Sequence, residues 1–395
     1  MLVAGLRILV AYLVFYAALG SAYPFLPVFY KDIGLELDQI GLLIAVQATL
    51  MLLFSPLWGG LSDRFPRSRL TLPLAAAIAT FGATALYLAL GFLAVLVASL
   101  VLFIGLAGVS PMLDARTLET LGPERRHRFG QVRAFGSLAF VVATLIVGVL
   151  LDGYGPRSLF WVYIPMLALT VIVTATIPRR GAGRSVSLRS GAARILSVPG
   201  VPLFLAGFVV VWAALTGTNT FYSIQVVAIG GTGAQVGLIW AIGATVEVPI
   251  MYVFPRLAKR VGAERLLVLG AMSFALRTGL SAFATDPLQL LAIAPLEGVG
   301  FACVFVGGVT VLAARAPAGT TGTAQGILTS GSGLATIIGS TVGGAIAAVI
   351  GIPGLFLICA AVSILGSAII AIAIVLPGRP DAGRGGAASG INPAG

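Results

Sequence analysis

The chain has 395 residues, of which 58% are hydrophobic and only 9% charged, with a formal net charge of +11. Soluble domains average roughly 45–50% apolar and about 25% charged residues, so a water-soluble globule is excluded. The composition is that of an integral membrane protein, and at about 20 residues per span the length admits roughly a dozen helices.

Twelve apolar segments follow one another, at about 7–30, 39–61, 70–90, 92–116, 132–151, 158–177, 200–222, 235–256, 266–284, 287–313, 322–350 and 354–376. Strands of a membrane barrel would alternate polar and apolar over about ten residues. These segments are apolar nearly all round and about twice that long, which predicts helices. The 51 glycines and 21 prolines occur frequently inside them, as membrane helices permit when neighbours re-satisfy the freed backbone groups. The first segment, after Arg7, is too long for a signal-peptide core and reads as a retained membrane helix.

Lysine and arginine set the expected orientation. Even-numbered connections and both tails carry Arg7, Arg64, Arg67, Arg69, Arg125, Arg126, Arg128, the run from Arg179 to Arg194, Arg256, Lys259, Arg260, Arg265, Arg315, Arg379 and Arg384, whereas odd-numbered connections carry Lys31 and Arg157. Both termini are therefore expected in the cytoplasm. Because these bases sit in short segments between apolar runs, the pI near 10.4 does not mark a nucleic-acid-binding surface. Cys303 and Cys359 lie within apolar runs as packing residues, and no metal-ligand spacing occurs.

The longest polar connection, 178–199, divides the chain into six-helix bundles at 1–177 and 200–376, and the Gly- and Ala-rich stretch 377–395 reads as a disordered cytoplasmic tail. A repeat supports the division. Gln39-Ile40-Gly41-Leu42-Leu43 returns as Gln235-Val236-Gly237-Leu238-Ile239, an offset of 196. At that same offset LSDRFPRSRL (61–70) meets LAKRVGAERL (257–266), and Gly148, Gly155 and Leu159-Phe160 meet Gly344, Gly351 and Leu355-Phe356. Two parallel six-helix pseudo-repeats with a site between them are a plan of secondary transporters.

Between the second and third segments, Gly59-Gly60-Leu61-Ser62-Asp63-Arg64-Phe65-Pro66-Arg67 resembles the cytoplasmic signature of the major facilitator superfamily, G-x-L-x-D-R-x-G-R, with Pro66 and Ser68 as departures. GSAYPFLPVFYKDIG and RFGQVRAFGSLAF resemble the branch containing lactose permease and the phenylpropionate and nucleoside proton symporters. The resemblance spans about 10–375. It implies twelve helices, a central cavity and alternating access.

An ionisable group at the bilayer centre costs at least about 2.5–3.5 kcal/mol and is by default a functional candidate. Six such groups are found: Asp114, Arg116, Arg133, Glu247, Arg277 and Glu297. The resemblance to lactose permease places Asp114 at a sugar-binding acid (with a one-residue gap), Arg133 at its arginine partner and Phe140 at a ring that stacks on the sugar. Read from the residues alone, the pair either grips a polyhydroxyl or carboxylate solute or closes helices four and five as a structural ion pair. Arg116, two residues from Asp114, falls on another face and is expected to snorkel to the cytoplasmic surface in a structural role.

Glu247, in IGATVEVPIMYV, resembles the E-x-P pattern of the phenylpropionate-like branch; the lactose permease acid would stand at Ala244. Arg277 matches an arginine that helps control the proton site there, and Glu297 takes a histidine's position. That family's proton-carrying glutamate is replaced by Gly300, its helix-seven acids are absent, and its helix-eleven lysine is replaced near Ser332. Desolvation favours a neutral carboxyl and a nearby guanidinium favours the charged one, so an acid that meets arginine in only one conformation links protonation to which side is open. Glu297 shares a helix face with Gly300; it and Glu247 are the candidate proton carriers, with Arg277 as partner.

Tyr23, Gln47, Asn219 and Trp240 fall mid-span and are expected to complete a solute cavity, while Tyr12, Tyr30 and Trp161 read as interfacial aromatics. Gly59, Asp63, Arg64 and Arg67, with the basic loop around Lys259-Arg260, form the expected cytoplasmic gate. His127, the single histidine, lies in a basic loop, so no histidine-based metal site or intramembrane triad is available. No nucleophile elbow or phosphate loop occurs either, and an enzyme is not expected. The reading is a monomeric transporter of the inner (plasma) membrane, with the bilayer and a small solute as partners and no cofactor, metal or nucleic acid. It would import a sugar-like, nucleoside, or aromatic or carboxylic solute by proton symport. A proton antiporter exporting drugs or metabolites is the alternative, GVLLDGYGP being only a loose match to the helix-five exporter signature; a non-transporting receptor is a further one.

Overall fold

The computed structural model describes residues 2–65, 69–125, 129–177, 189–317 and 320–375, and the regular structure among them is helical throughout. The first span is not the single helix expected over 7–30 but α1 (Leu2–Ala22) and α2 (Leu26–Asp32). Pro24 and Pro27 cause the break, since each lacks an amide hydrogen and crowds the carbonyl four residues before it. There follow α3 (Leu37–Arg64), α4 (Thr71–Leu88), α5 (Phe92–Arg125), α6 (Phe129–Tyr154) and α7 (Leu159–Ala175). The short α8 (Arg189–Leu196) lies within the connection read as loop, and α9 (Val201–Ala228), α10 (Gly233–Val261) and α11 (Ala263–Ala282) come next. Pro295 splits the tenth segment into α12 (Pro287–Ile293) and α13 (Pro295–Arg315). Gly351, at φ 77° and ψ 168°, bends α14 (Thr321–Val375) into two crossings.

Among the described residues, ten stretches are long and apolar enough to cross a bilayer, and one of them, Thr323–Val375, contains the two crossings divided at Gly351. The remaining crossing is α11, less apolar because it carries Glu264, Arg265 and Arg277. The twelve-helix expectation therefore holds. Twelve crossings bring the chain back to the side where it began, hereafter the near end; the opposite side is the far end. The expected tail at 377–395, together with His127 and Arg67, lies outside the described residues.

The helices before and after the central connection meet along two seams, α3 against α14 and α6 against α10. Both are backbone-to-backbone contacts at the far end. In the first, Gly41 lies against the Ser340 carbonyl and Gly344, and a Cβ on Gly344 would stand 2.9 Å from the Leu37 carbonyl oxygen and 3.2 Å from Asp38 Cα. In the second, a Cβ on Gly237 would stand 2.6 Å from the Thr144 carbonyl oxygen, and one on Gly148 would stand 2.6 Å from that of Gly233 and 3.0 Å from Ala234 Cα. Each residue of the second seam is 196 positions from its counterpart in the first. The same interval separates the left-handed glycines Gly34 and Gly230, at φ 88° and 89°, and Gly155 and Gly351, both at φ 77°.

Among the described residues, the hydrogen bonds joining the two sets of helices both come from Asp152 at the end of α6. Its carboxylate accepts from the amides of Gly233 (2.5 Å) and Ala234 (3.0 Å), the first two residues of α10. Tyr23, between α1 and α2, meets Trp240 of α10 edge-on with centroids 5.5 Å apart. These contacts close the far end, and toward the near end Asp114, Arg133 and Glu247 stay partly exposed, which marks a cleft between the two sets of helices. Replacing Gly237 with Leu overpacks the α6–α10 seam at a cost of about 1–3 kcal/mol. Spin labels at Tyr154 and Thr285, one on each set of helices, are expected to move apart in that variant; an unchanged distance distribution would contradict the seam as described.

Candidate functional site: two charge clusters in the cleft

On one wall, α1, α5 and α6 bring four side chains together. Tyr12 and Tyr16, one turn apart on α1 and hence on one face, stack with centroids 5.8 Å apart and planes inclined by 8°. The Tyr12 hydroxyl donates to Asp114 Oδ1 at 2.5 Å. Arg133 Nη1 is 3.5 Å from Asp114 Oδ2, and its guanidinium carbon lies 5.5 Å from the Tyr16 ring centroid, within cation–π range. Gly136, three residues after Arg133, makes the room: a Cβ there would sit 2.8 Å from the Tyr16 ring. The ion pair is long and open, with Arg133 and Asp114 side chains 47% and 30% exposed. Exposed pairs of this kind are worth about 0–1 kcal/mol, so Arg133 is free to exchange partners.

The opposite wall holds a tighter arrangement. Arg277 of α11, 1% exposed, places Nη1 2.7 Å from Glu297 Oε2 of α13. It also donates to Asn219 Oδ1 of α9 at 3.0 Å, and Asn219 Nδ2 donates to Glu297 Oε1 at 2.9 Å, closing a ring of three side chains. The guanidinium carbon lies 3.9 Å from the Tyr222 ring centroid. The Arg277–Glu297 contact is short but not aligned as a hydrogen bond, so Glu297 Oε2 and Arg277 Nε have no hydrogen-bond partner among the described residues. Buried charges are tolerated only when so paired, because the desolvation cost is several kcal/mol per ion.

Glu247 sits on α10 between the clusters. Gly298 packs against the α10 backbone at Gly243 and Glu247, the residue right after Glu297 thus touching the Glu247 turn. Glu247 is half-buried and makes no hydrogen bond or ion pair with the described residues; Glu297 on its own wall and Arg133 on the facing wall are the charges that act on it.

The structure brings together Asp114 with Arg133, Asn219 with Arg277 and Glu297, and Tyr23 with Trp240, whose indole nitrogen donates to Ser223 Oγ at 2.9 Å. It does not join Gln47 or Phe140 to either cluster: Gln47 is half-buried on α3 without a hydrogen bond to the described residues, and the Phe140 backbone packs on Gly20. Gly59, Asp63 and the exposed Arg64 occupy the near end of α3. Three readings need correction. Arg116 does not snorkel: it is 3% exposed and donates to the Arg69 carbonyl and Thr71 Oγ1, tying α5 to the start of α4. Tyr12, read as interfacial, is buried in the Asp114 cluster, and Tyr30 is fully buried as well. Tyr16 and Tyr222 were not singled out in the sequence, although their spacing from Tyr12 and Asn219 on one helix face was the available signal. No group of three or more His, Cys, Asp or Glu side chains suited to a metal ion occurs among the described residues.

The model of the MFS_1 like family matches residues 6–358. The chain belongs to this family of major facilitators. Relatives include a maltose permease of Geobacillus stearothermophilus, 28% identical over 281 residues and 70% of each chain. A probable 3-phenylpropionic acid transporter of Escherichia coli is 27% identical over 320 residues, covering 77% of this chain and 81% of its own. Among solved structures, that of the nucleoside transporter NupG superposes with a TM-score of 0.84 at 16% identity, over 94% of this chain and 99% of the other. This major facilitator is thus a multi-pass membrane protein and a secondary transporter, not an enzyme.

Removing Glu297 leaves the Arg277 charge buried and uncompensated. Glu297→Ala is expected to lower unfolding stability in detergent by about 3–5 kcal/mol, and Glu297→Gln, which keeps the Asn219 hydrogen bond, by less. Equal losses in the two variants would show that the Asn219 hydrogen bond adds nothing beyond the charge, and unchanged stability in both would show that the ion pair does not stabilise this wall.

Proposed function

We propose that this transporter carries a small polar organic solute (sugar-like, nucleoside, or aromatic or carboxylic) by proton symport in the plasma membrane. On this reading the near end faces the cytoplasm, as the excess of Lys and Arg there favours, and the chain works as a monomer. The observation that carries the proposal is the charge balance of the cleft: Asp114, Glu247 and Glu297 stand against Arg133 and Arg277, and Glu247 is the acid without a cation of its own.

Ionised Glu247 draws on the field of Arg133 from across the cleft. Once protonated, it releases Arg133 to the solute and leaves the clusters neutral, so proton and solute load together. Closing the near end brings the two walls together and opens the far-end seams. The Gly59, Asp63, Arg64 and Arg67 segment would hold that second state from the near end. Arg277 and Glu297, bound to each other and to Asn219, orient the wall and contact the solute through Asn219; Tyr23, Trp240, Gln47 and Phe140 line the path. The relatives named for maltose and 3-phenylpropionic acid support uptake of such solutes. Export by proton antiport would use the same acid, and the direction of the solute gradient driven by an imposed proton gradient separates the two.

In proteoliposomes, Glu247→Gln is expected to abolish proton-driven accumulation while retaining solute exchange. Accumulation at the parental level would exclude Glu247 as the proton carrier. Arg133→Ala is expected to lose the rise in apparent stability that a bound solute gives the native state by mass action; an undiminished rise would place the solute elsewhere.

A further inference from the structure

Phe301 and Phe305 follow Glu297 at intervals of four residues on α13 and so continue its stripe. That stripe faces the cleft. Glu297 is bonded to Asn219 of α9 and packs beside Gly243 of α10, so the line from Glu297 to Phe305 runs between those two helices. At about 1.5 Å per residue, the two rings lie about 6 and 12 Å from Glu297 toward the near end. Trp212 of α9, two turns before Asn219 on the same face, completes the group: its ring is 5.7 Å from Phe301 and 6.2 Å from Phe305, while Phe301 and Phe305 stack at 5.7 Å with planes inclined by 10°. Behind them Trp212 rests on the buried ring of Phe208, stacked at 5.4 Å.

This shelf is not closed over. Phe305 is 43% exposed and Trp212 is half-buried, and the Trp212 indole N–H has no hydrogen bond among the described residues. Large exposed rings in a cleft, with an indole donor left open, form a surface for a flat partner rather than a finished core. The facing wall is placed to match. Phe208 and Trp212 stand 196 positions from Tyr12 and Tyr16, the interval that relates the two far-end seams, which sets both stacked pairs at one depth. Across from the shelf, therefore, stand the Tyr16 ring and the exposed Arg133 guanidinium.

We propose that Trp212, Phe301 and Phe305 form the ring-binding subsite of the transporter and that its solute is an aromatic carboxylate. The ring lies on the shelf and the carboxylate reaches Arg133 on the opposite wall. This rests on the proton-symport reading and narrows its solute class. A saccharide or an uncharged nucleoside would stack on the shelf but leave Arg133 without the anion that replaces Glu247. Bidentate pairing of guanidinium with carboxylate supplies the geometric selectivity for the acid.

The test measures binding of benzoate, 3-phenylpropionate, 3-phenylpropanol, 3-cyclohexylpropionate, maltose and uridine to the purified full chain by thermal shift and titration calorimetry. The aryl acids are expected to bind, with 3-phenylpropanol and 3-cyclohexylpropionate each weaker by about tenfold or more. Trp212→Leu and Phe305→Leu should each weaken aryl-acid binding by about tenfold, with Trp212→Phe largely restoring it. Unliganded unfolding temperatures of these variants show whether the fold is kept. Binding of maltose or uridine in place of the aryl acids, absence of aryl-acid binding, or Leu variants that fold and bind normally would overturn the assignment. Proton-driven uptake of any other solute in the panel would show that the symport reading survives that failure; transport against the direction of proton flow would show that it falls too.

Discussion

Backbone can approach backbone between helices where a glycine leaves the place of a Cβ empty, and the helices before and after the central connection of this transporter are joined under that condition. Gly41 and Gly344 on one seam and Gly237 and Gly148 on the other bring helix axes close enough for a carbonyl to occupy the space of a Cβ. Lipid supplies no hydrophobic drive between helices, so close van der Waals packing of this kind is what holds membrane helices together. Because these contacts are gathered at the far end, Asp114, Arg133 and Glu247 are left partly exposed in the cleft below them.

Within the cleft, the two walls treat their charges differently. Arg277 is buried, flanked by a tyrosine face and held by Glu297 and Asn219, so it is a fixed element of the wall. Arg133 is half in solvent, with its acid partner shared with the Tyr12 hydroxyl. A rigid charged wall facing a loose one gives a binding site one stable reference surface and one set of groups that reorganises cheaply. Glu247, between them, feels both.

Much of this architecture was legible in the chain. Hydropathy placed the crossings, and the glycine contacts of the two seams lie at the same 196-residue interval as the short motifs. Helix ends were less legible where physics other than hydropathy decides: Pro24 and Pro295 cut apolar runs that looked continuous, and α5 continues past residue 116 through TLETLGPER because a helix leaving the membrane can be polar. Charged candidates were found by their cost in the membrane. Their partners were not, because Asn219, Arg277 and Glu297 are brought together over separations of 58 and 78 residues, which no periodicity encodes. Tyr12 looked like an interfacial ring because its partner, Asp114, is 102 residues away.

The Asp152 contact makes the two seams unequal. The position 196 residues beyond it is Ala348, so the α3–α14 seam has no counterpart to this carboxylate, and α3 uses its own Asp38 and Gln39 to satisfy amides at its start. Among the described residues, parting α3 from α14 breaks van der Waals contact alone, whereas parting α6 from α10 also breaks two charge-assisted hydrogen bonds at the positive end of a 29-residue helix. The far end is thereby fastened more firmly along α6 and α10 than along α3 and α14, like a book whose spine lies on one side and whose free edge lies on the other.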